Sequence, residues 1–174
     1  GFRFYERAEV KDALAYLRLV MSRSDDTAFE RVVNTPARGV GARTIEALRY
    51  TARQYNISLW EAAARIVANR ELGGRACNAL AAFGKLVERL ERELAGLELG
   101  EALEHVIAEA RLVDHYTREG AEKAADRAEN LEELVRAASE FAPAEEDGGL
   151  SPMAAFLAHA ALEAGEGQAD AFED

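Results

Sequence analysis

A short turn with two glycines is the part of this sequence whose residue types point most directly to chemistry. Gly39-Val40-Gly41 lies between two helical patterns, and donor-bearing side chains flank it: Thr35, Arg38, Arg43 and Thr44. Because glycine has no Cβ, such a turn can present backbone N–H groups to a phosphate without obstruction. The helix that begins directly after the turn adds unpaired N–H groups and the positive end of its dipole. The pattern predicts a site for a nucleic-acid backbone, with Val40 anchoring the turn in the core.

The same turn also has a plainer interpretation, in which it is a tight corner between helices and glycine only permits a positive φ. Local charge favours the binding site. The segment from Arg31 to Arg53 holds five arginines and one acidic residue, Glu46. Together these features match the layout of a helix-hairpin-helix, which holds a phosphate run without reading bases.

Three further arginines are candidates for additional phosphate contacts: Arg31, Arg49 and Arg53. Arg49 and Arg53 are four residues apart on one predicted helix, so they share a face and could follow a nucleic-acid backbone. A solvated helix face explains these arginines equally well, and the sequence leaves both interpretations open.

Charge is divided unevenly along the 174 residues, whose net charge is −11. Residues 1–75 contain 13 basic and 9 acidic residues, whereas residues 76–174 contain 8 basic and 23 acidic residues. The positive field is therefore local to the turn, and the acidic part would repel DNA or face another protein. We expect DNA binding by the chain alone to be weak and sensitive to salt.

Several classes of function lack support in the sequence. The single cysteine, Cys77, has no second thiol to pair with, which fits a reduced cytoplasm. There is no apolar run of membrane-spanning length and no signal-peptide pattern. The three histidines, His105, His115 and His159, lack the spacing of metal ligands, and no phosphate-binding Gly-Lys loop or catalytic triad is present. We predict no catalytic site, no metal site and no membrane contact.

Hydrophobic residues recur at helical spacing along most of the chain and predict an all-α fold. We expect a compact multi-helix domain of about seven to eight helices joined by short connections. One helix is predicted over residues 42–55, directly after the turn. Residues 2–5 form the only segment with an extended pattern, and they are either a disordered end or part of a sheet that is not in this chain. Residues 143–149 form an acidic loop, and residues 165–174 a loose acidic tail.

Four blocks of sequence, in order from one end to the other, resemble a known helicase family: residues 1–19, 28–44, 127–134 and 158–170. They resemble the 2B subdomain of UvrD/PcrA/Rep-type superfamily 1 DNA helicases, and the last block is most similar to the UvrD branch. Residues 28–44 resemble the duplex-binding "GIG" motif of that family. Val40 stands in place of its usual isoleucine, which keeps an apolar anchor.

The resemblance implies a fold and a place within a larger protein. In this family the subdomain is inserted in a RecA-like motor domain. Residues 1–7 would be a strand leaving the motor, residues 8–164 the helical subdomain, and residues 165–174 the acidic return to the motor. By motif, the phosphate-binding turn would consist of Thr35, Gly39, Val40, Gly41 and Thr44, with Arg38 and Arg43 as flanking donors.

The resemblance also implies an activity for the parent protein. It would be a bacterial, cytoplasmic and nucleoid-associated ATP-dependent 3′→5′ DNA helicase acting in excision and mismatch repair. Its motor domains would bind ATP and magnesium, so this chain would need no cofactor and would not be an enzyme by itself. The subdomain would swivel as a rigid body, grip duplex or junction DNA, restrain unwinding by the monomer, and contact the rest of the helicase and repair or transcription proteins.

Two other functions compete with duplex binding by this chain. The first is a protein-interaction module whose DNA contact operates only in the full-length enzyme, which the acidic helices after residue 75 motivate. The second is a free-standing helix-hairpin-helix repair enzyme. That class needs a catalytic lysine or aspartate after the hairpin, and residues 42–68 contain neither.

Overall fold

Ten α-helices make up the regular structure of the described residues. The computed structural model describes the backbone of residues 2–143 and 148–173, and the side chains of residues 3–143 and 148–165. The helices are α1 (Phe2–Glu6), α2 (Ala8–Met21), α3 (Asp26–Val32), α4 (Ala42–Tyr55), α5 (Leu59–Asn69), α6 (Gly74–Leu94), α7 (Leu99–Glu109), α8 (Leu112–Thr117), α9 (Ala121–Glu140) and α10 (Pro152–Glu173). The predicted all-α fold is confirmed, although the predicted number of helices was too low.

Helix α2 lies at the centre of the fold. It packs against α1, α3, α6, α7 and α9, so apolar residues occupy most of its circumference. Leu14, Leu17 and Leu19 are at most 2% exposed. A helix enclosed on several sides loses the polar face of an ordinary surface helix. Even so, two acidic residues of α2, Glu9 and Asp12, are buried in this position.

The extended segment predicted at residues 2–5 is wrong, because these residues form α1. Phe4 is buried, and the ring of Tyr5 meets the rings of Phe156 and His159 edge-on at 6.3 and 5.8 Å between centroids. Four residues cannot form a stable sheet without a partner strand. Burial of the aromatic rings against α10 favours the short helix instead.

The end of the chain also differs from the prediction. Helix α10 runs from Pro152 to Glu173, whereas a loose acidic tail was expected over residues 165–174. Alanine and glutamate are frequent there and have high helix propensity. Residues 144–147 of the predicted acidic loop, and residue 174, lie outside the described residues. The division into residues 1–7, 8–164 and 165–174 stays a prediction.

Helix α3 holds one side of the glycine turn in place. The Asp25 side chain caps α3 by accepting a hydrogen bond from the Ala28 N–H at 3.0 Å. Asp26 Oδ1 accepts another from the Leu59 N–H at 2.9 Å, which ties the start of α3 to the start of α5. Phe29 packs edge-on against Phe83 of α6, with 5.6 Å between ring centroids. The turn therefore projects from a well-fixed base.

Candidate nucleic-acid interface

The glycine turn connects α3 to α4, and its residues alternate between surface and core. Gly39 has a φ of +90°, a conformation that L side chains rarely adopt. Val40 is 1% exposed, so its side chain anchors the turn as predicted. Gly41 returns to extended backbone, with φ −89° and ψ −173°. A cis peptide bond joins Thr35 to Pro36 at the start of the loop.

The start of α4 is open on its outer side. Gly41 is the N-cap of α4 and provides no side-chain cap, and the first helical hydrogen bond runs from the Ile45 N–H to the Gly41 carbonyl at 3.1 Å. The N–H groups of residues 42–44 therefore precede the intrahelical ladder. A Cβ built on Gly39 or on Gly41 would meet nothing within 4 Å. An anion can approach these N–H groups and the positive end of the helix dipole directly.

Arg43 and Thr44 occupy the first turn of α4 but differ in exposure. Arg43 is exposed and has no hydrogen-bond or ion-pair partner among the described residues, so its guanidinium is available to a ligand. Thr44 is 8% exposed, so less of its side chain reaches the surface than the motif suggests. Thr35 is half-buried, and its carbonyl accepts a hydrogen bond from the buried Tyr16 hydroxyl.

Arg38 points inward, although the sequence suggested a donor flanking the site. Its Nη1 donates to the carbonyls of Val32 and Val33, at 2.6 Å in each case. Its Nη2 donates to the Tyr16 hydroxyl at 2.7 Å, and its guanidinium lies over the Phe83 ring at 4.8 Å from the centroid. These contacts use the side chain inside the fold.

Asn34 is a residue of the turn whose role was not predicted from the sequence. Its Oδ1 accepts hydrogen bonds from the Arg38 N–H at 2.9 Å and the Val40 N–H at 3.1 Å, which closes the loop upon itself. Asparagine commonly bonds to backbone N–H groups that follow it in turns. Its position before Thr-Pro was the signal that could have identified this role.

The three additional arginines do not gather around the turn. Arg31 Nε donates to Asp12 Oδ1 at 2.8 Å, and Arg49 Nε donates to Glu30 Oε1 at 2.7 Å. Arg53 is exposed in the last turn of α4. It lies about 18 Å along the helix axis from Gly41, at 1.5 Å per residue. The structure thus brings together residues 34–44 and leaves Arg31, Arg49 and Arg53 elsewhere.

A buried polar cluster joins α2 to α8 and α9. The Tyr116 hydroxyl donates to Asp12 Oδ2 at 2.5 Å, and Asn130 Nδ2 donates to Glu9 Oε2 at 2.6 Å. Burial, followed by the hydrogen bond to Asp12 and the charges of Asp12 and Glu9, raises the pKa of Tyr116 well above its usual range. The Asp12 carboxylate therefore has both Arg31 and Tyr116 as partners, and the cluster is a structural tie within the core.

His105 has one carboxylate neighbour that comes from another helix. Its Nε2 lies 3.0 Å from Glu93 Oε1 of α6, and 3.9 Å from Glu109 Oε1, four residues along its own helix α7. Arg89 Nη1 lies 3.0 Å from the Glu93 carboxylate and 3.4 Å from that of Glu109. A guanidinium thus already supplies the positive charge between these carboxylates, and the group is an ion-pair network at the surface.

In the described part of the chain, no helix has both the length and the apolar character needed to cross a membrane.

Comparison with known proteins supports the resemblance over the whole chain. Residues 1–173 match the model of the UvrD-like helicase C-terminal domain. The chain is 50% identical over 174 residues to DNA helicase II of Escherichia coli, covering 100% of this chain and 24% of that protein. It is 47% identical over 169 residues to DNA helicase II of Haemophilus influenzae, covering 97% of this chain and 23% of that protein.

A more distant relative has a different name but matches over the same extent. The chain is 34% identical over 174 residues to the ATP-dependent DNA helicase PcrA of Bacillus subtilis, covering 100% of this chain and 23% of that protein. The chain thus spans about a quarter of the length of these relatives. Since the family model covers nearly every residue, the chain belongs to the UvrD-like helicase C-terminal domain family.

Proposed function

We propose that this chain is the 2B subdomain of a UvrD-type DNA helicase, and that its glycine turn holds the phosphate backbone of duplex DNA. The observation that carries the proposal is the uncapped start of α4, exposed between Gly41 and Arg43 with open space above both glycines. The names of the relatives support the choice of ligand, because each is a DNA helicase.

Binding follows from the groups that the turn exposes. Phosphate oxygens accept hydrogen bonds from the N–H groups of residues 42–44, and the Arg43 guanidinium adds a charge-assisted donor. Gly39 and Gly41 let the DNA backbone come close, while the buried Val40 holds the turn rigid. Contacts of this kind position a duplex without reading its bases. Binding is therefore independent of sequence, and it weakens as salt rises.

In the parent helicase this contact has a regulatory role. ATP and magnesium bind in the motor domains, which drive 3′→5′ unwinding in excision and mismatch repair. The subdomain grips the duplex ahead of the junction in one orientation and releases it in another, and it restrains the monomer. On this proposal the chain alone hydrolyses no ATP and acts in the bacterial cytoplasm, close to the nucleoid.

A second function has its own supporting observation, the acidic outer face of α9. Its exposed carboxylates are Glu122, Asp126, Glu129, Glu132, Glu133 and Glu140. Such a face repels DNA and suits a basic surface on a repair or transcription protein. In this alternative the chain is a protein-interaction module, and the turn contacts DNA only when the motor domains hold it in place.

The test is a titration of the chain into labelled hairpin DNA with a 3′ single-stranded tail, followed by fluorescence anisotropy at low and near-physiological salt. We expect binding at low salt that weakens with salt and is lost in Gly41→Asp, which puts a carboxylate at the phosphate site. Arg43→Gln should lower the salt slope by about 0.9, the value for one phosphate contact. Arg136→Gln is the matched control, because Arg136 is exposed on the acidic helix α9.

Each outcome decides between the two functions. Unchanged binding by Gly41→Asp would mean that the turn is not the contact. Absence of wild-type binding at both salt concentrations would favour the protein-interaction module. An equal loss of DNA affinity in Arg43→Gln and Arg136→Gln would show that DNA responds to the overall charge of the protein and makes no specific contact at the turn.

A further inference from the structure

We infer that Arg38 is a positioning residue of the glycine turn and not a phosphate ligand: together with Asn34 and Tyr16 it fixes the backbone that presents the N–H groups of α4. This inference rests on the proposed function, because it names the residues that preorganise the proposed DNA contact. The position of Arg38 in such a motif would instead suggest a phosphate ligand, because its positive charge suits a phosphate.

The Arg38 guanidinium makes three hydrogen bonds within the fold. The carbonyls of Val32 and Val33 that accept from it, at 2.6 Å each, are at the C-terminal end of α3. Carbonyls at this end of a helix lack intrahelical partners and carry partial negative charge, which a cation satisfies. Reaching outward to a phosphate would abandon these carbonyls, the Tyr16 hydroxyl and the face of Phe83. The Val32 carbonyl would keep the Thr35 N–H at 3.0 Å, but the Val33 carbonyl would lose Arg38 as its donor, which makes that movement costly.

Tyr16 extends this anchor to the central helix. Its side chain is fully buried in α2, and its hydroxyl accepts from Arg38 Nη2 at 2.7 Å while donating to the Thr35 carbonyl. The start of the loop and the Arg38 side chain are thus held by the same oxygen atom. Three core helices, α2, α3 and α6, contribute to fixing the loop.

Asn34 completes the arrangement from within the loop. One carbonyl oxygen, Oδ1, binds the N–H groups of Arg38 and Val40, on either side of Gly39. The Val40 N–H is therefore turned inward, whereas the N–H groups after Gly41 keep no side-chain acceptor. Asn34 thus satisfies two N–H groups within the loop, while the N–H groups that face the ligand at the start of α4 have no side-chain cap. A site preformed in this way loses less conformational entropy on binding.

The experiment compares Arg38→Lys, Asn34→Ala and Arg43→Gln by two measurements. The first is amide hydrogen exchange over residues 34–44, and the second is the salt dependence of binding to tailed hairpin DNA. Arg38→Lys keeps the charge but loses the planar fork that serves two carbonyls and a hydroxyl. We expect faster exchange at the Val40 amide and at least a roughly tenfold loss of affinity, with the salt slope unchanged. Arg43→Gln should lower the slope by about 0.9 and leave exchange unchanged.

The opposite result is equally well defined. If Arg38→Lys binds like the wild type, while Arg38→Gln loses affinity and about 0.9 of the salt slope, Arg38 is a phosphate ligand and the inference is wrong. Tyr16→Phe is a conservative variant that controls for misfolding, because it removes one hydroxyl and keeps the buried ring. It should speed exchange in residues 34–44 but not in the core of α6.

If the proposed DNA-binding function is wrong, the two measurements give a different pattern. In that case the wild type does not bind DNA at all, yet the exchange measurements still report whether Arg38 and Asn34 fix the turn. Faster exchange in Arg38→Lys without any DNA binding would support positioning and reject the DNA contact. Unchanged exchange in both Arg38→Lys and Asn34→Ala would overturn the inference whatever the DNA result.

Discussion

Gly39 and Gly41 are required for different reasons, and substitution by alanine should separate them. Gly39 has a positive φ, so Gly39→Ala should lower the free energy of unfolding by about 1–2 kcal/mol. Gly41 is extended and a Cβ there meets nothing within 4 Å, so Gly41→Ala should stay within about 0.5 kcal/mol of the wild type. Urea unfolding measures both, and an equal loss of stability in the two variants would contradict this assignment.

Gly41→Ala should weaken DNA binding although it leaves the stability of the fold almost unchanged. The Cβ of Gly41→Ala occupies space in front of the α4 N–H groups, so we expect weaker binding by a protein of normal stability. Anisotropy with the tailed hairpin DNA measures this effect. Wild-type affinity in Gly41→Ala would show that the open space above Gly41 is not where the phosphate lies.

Tyr116 should make stability depend on alkaline pH. Burial, followed by its bond to Asp12, raises the pKa of Tyr116, whereas in the unfolded chain a tyrosine ionises near pH 10. Between these two pKa values the folded state binds the extra proton. Its contribution is therefore complete below about pH 10 and is lost as pH rises above that value. Tyr16 and Tyr5 also have raised pKa values, each chiefly from burial, and add to the same trend.

Tyr116→Phe tests this linkage. We expect a loss of about 2 kcal/mol near pH 7, since the buried Asp12 carboxylate loses one of its partners. Above about pH 10 the stability of the variant should fall less steeply than that of the wild type. Urea midpoints measured from pH 7 to 11 provide the comparison, with Tyr50→Phe, at a 63% exposed position, as control. Parallel curves for Tyr116→Phe and wild type would contradict the linkage.

At the residue scale, the sequence predicted the turn, but it could not predict where the nearby arginine side chains point. Gly39 and the apolar Val40 anchor follow from local rules of conformation and burial. The partners of Arg38, Arg31 and Arg49 are carbonyls and carboxylates brought near by the fold. An arginine in a sequence shows a charge and a reach but not which acceptor is close, so Arg38 was predicted to flank the site and Arg31 and Arg49 to be possible further contacts.

At the scale of helices, hydrophobic periodicity predicted an element in the interior of the chain well. Helix α4 has the predicted bounds, although its N-cap, Gly41, provides no side-chain cap. The failures were at the two ends of the chain. Helix α1 exists because its aromatic residues pack against α10, a contact about 150 residues away in sequence that no local pattern encodes. Tertiary packing outweighs propensity in such short segments.

The contact between α7 and α9 depends on one glycine. A Cβ on Gly100 would lie 1.9 Å from Ser139 Oγ and 3.3 Å from the Ser139 Cα. Gly100→Ala should therefore destabilise the fold by about 1–3 kcal/mol through overpacking. Because the closest clash is with the hydroxyl, Ser139→Gly in the same chain should recover most of that loss. A double-mutant cycle of urea midpoints measures the coupling, and simple additivity of the two changes would show that the helices separate instead.

The molecule as a whole has one continuous hydrophobic core, but its charged residues are distributed unevenly along the chain. The buried cluster extends from Phe4 near one end to Ala160 near the other and includes residues of every helix from α1 to α10. Residues 76–174, in contrast, contain 23 acidic and 8 basic residues. The two halves that differ in charge are therefore one structural unit, since α2 packs against α6, α7 and α9.

This continuity predicts a single cooperative unfolding transition. Trp60, the only tryptophan, lies on α5 beside Gly84 of α6 and reports on the packing of these two helices, while circular dichroism reports on all helices. The two probes should give the same urea midpoint, because the halves share one core. Moderate NaCl should raise both midpoints together, since it screens self-repulsion within a chain of net charge −11. An earlier tryptophan midpoint would mean that α4 and α5 unfold independently, and the turn would then lack the rigid base that its proposed grip on DNA requires.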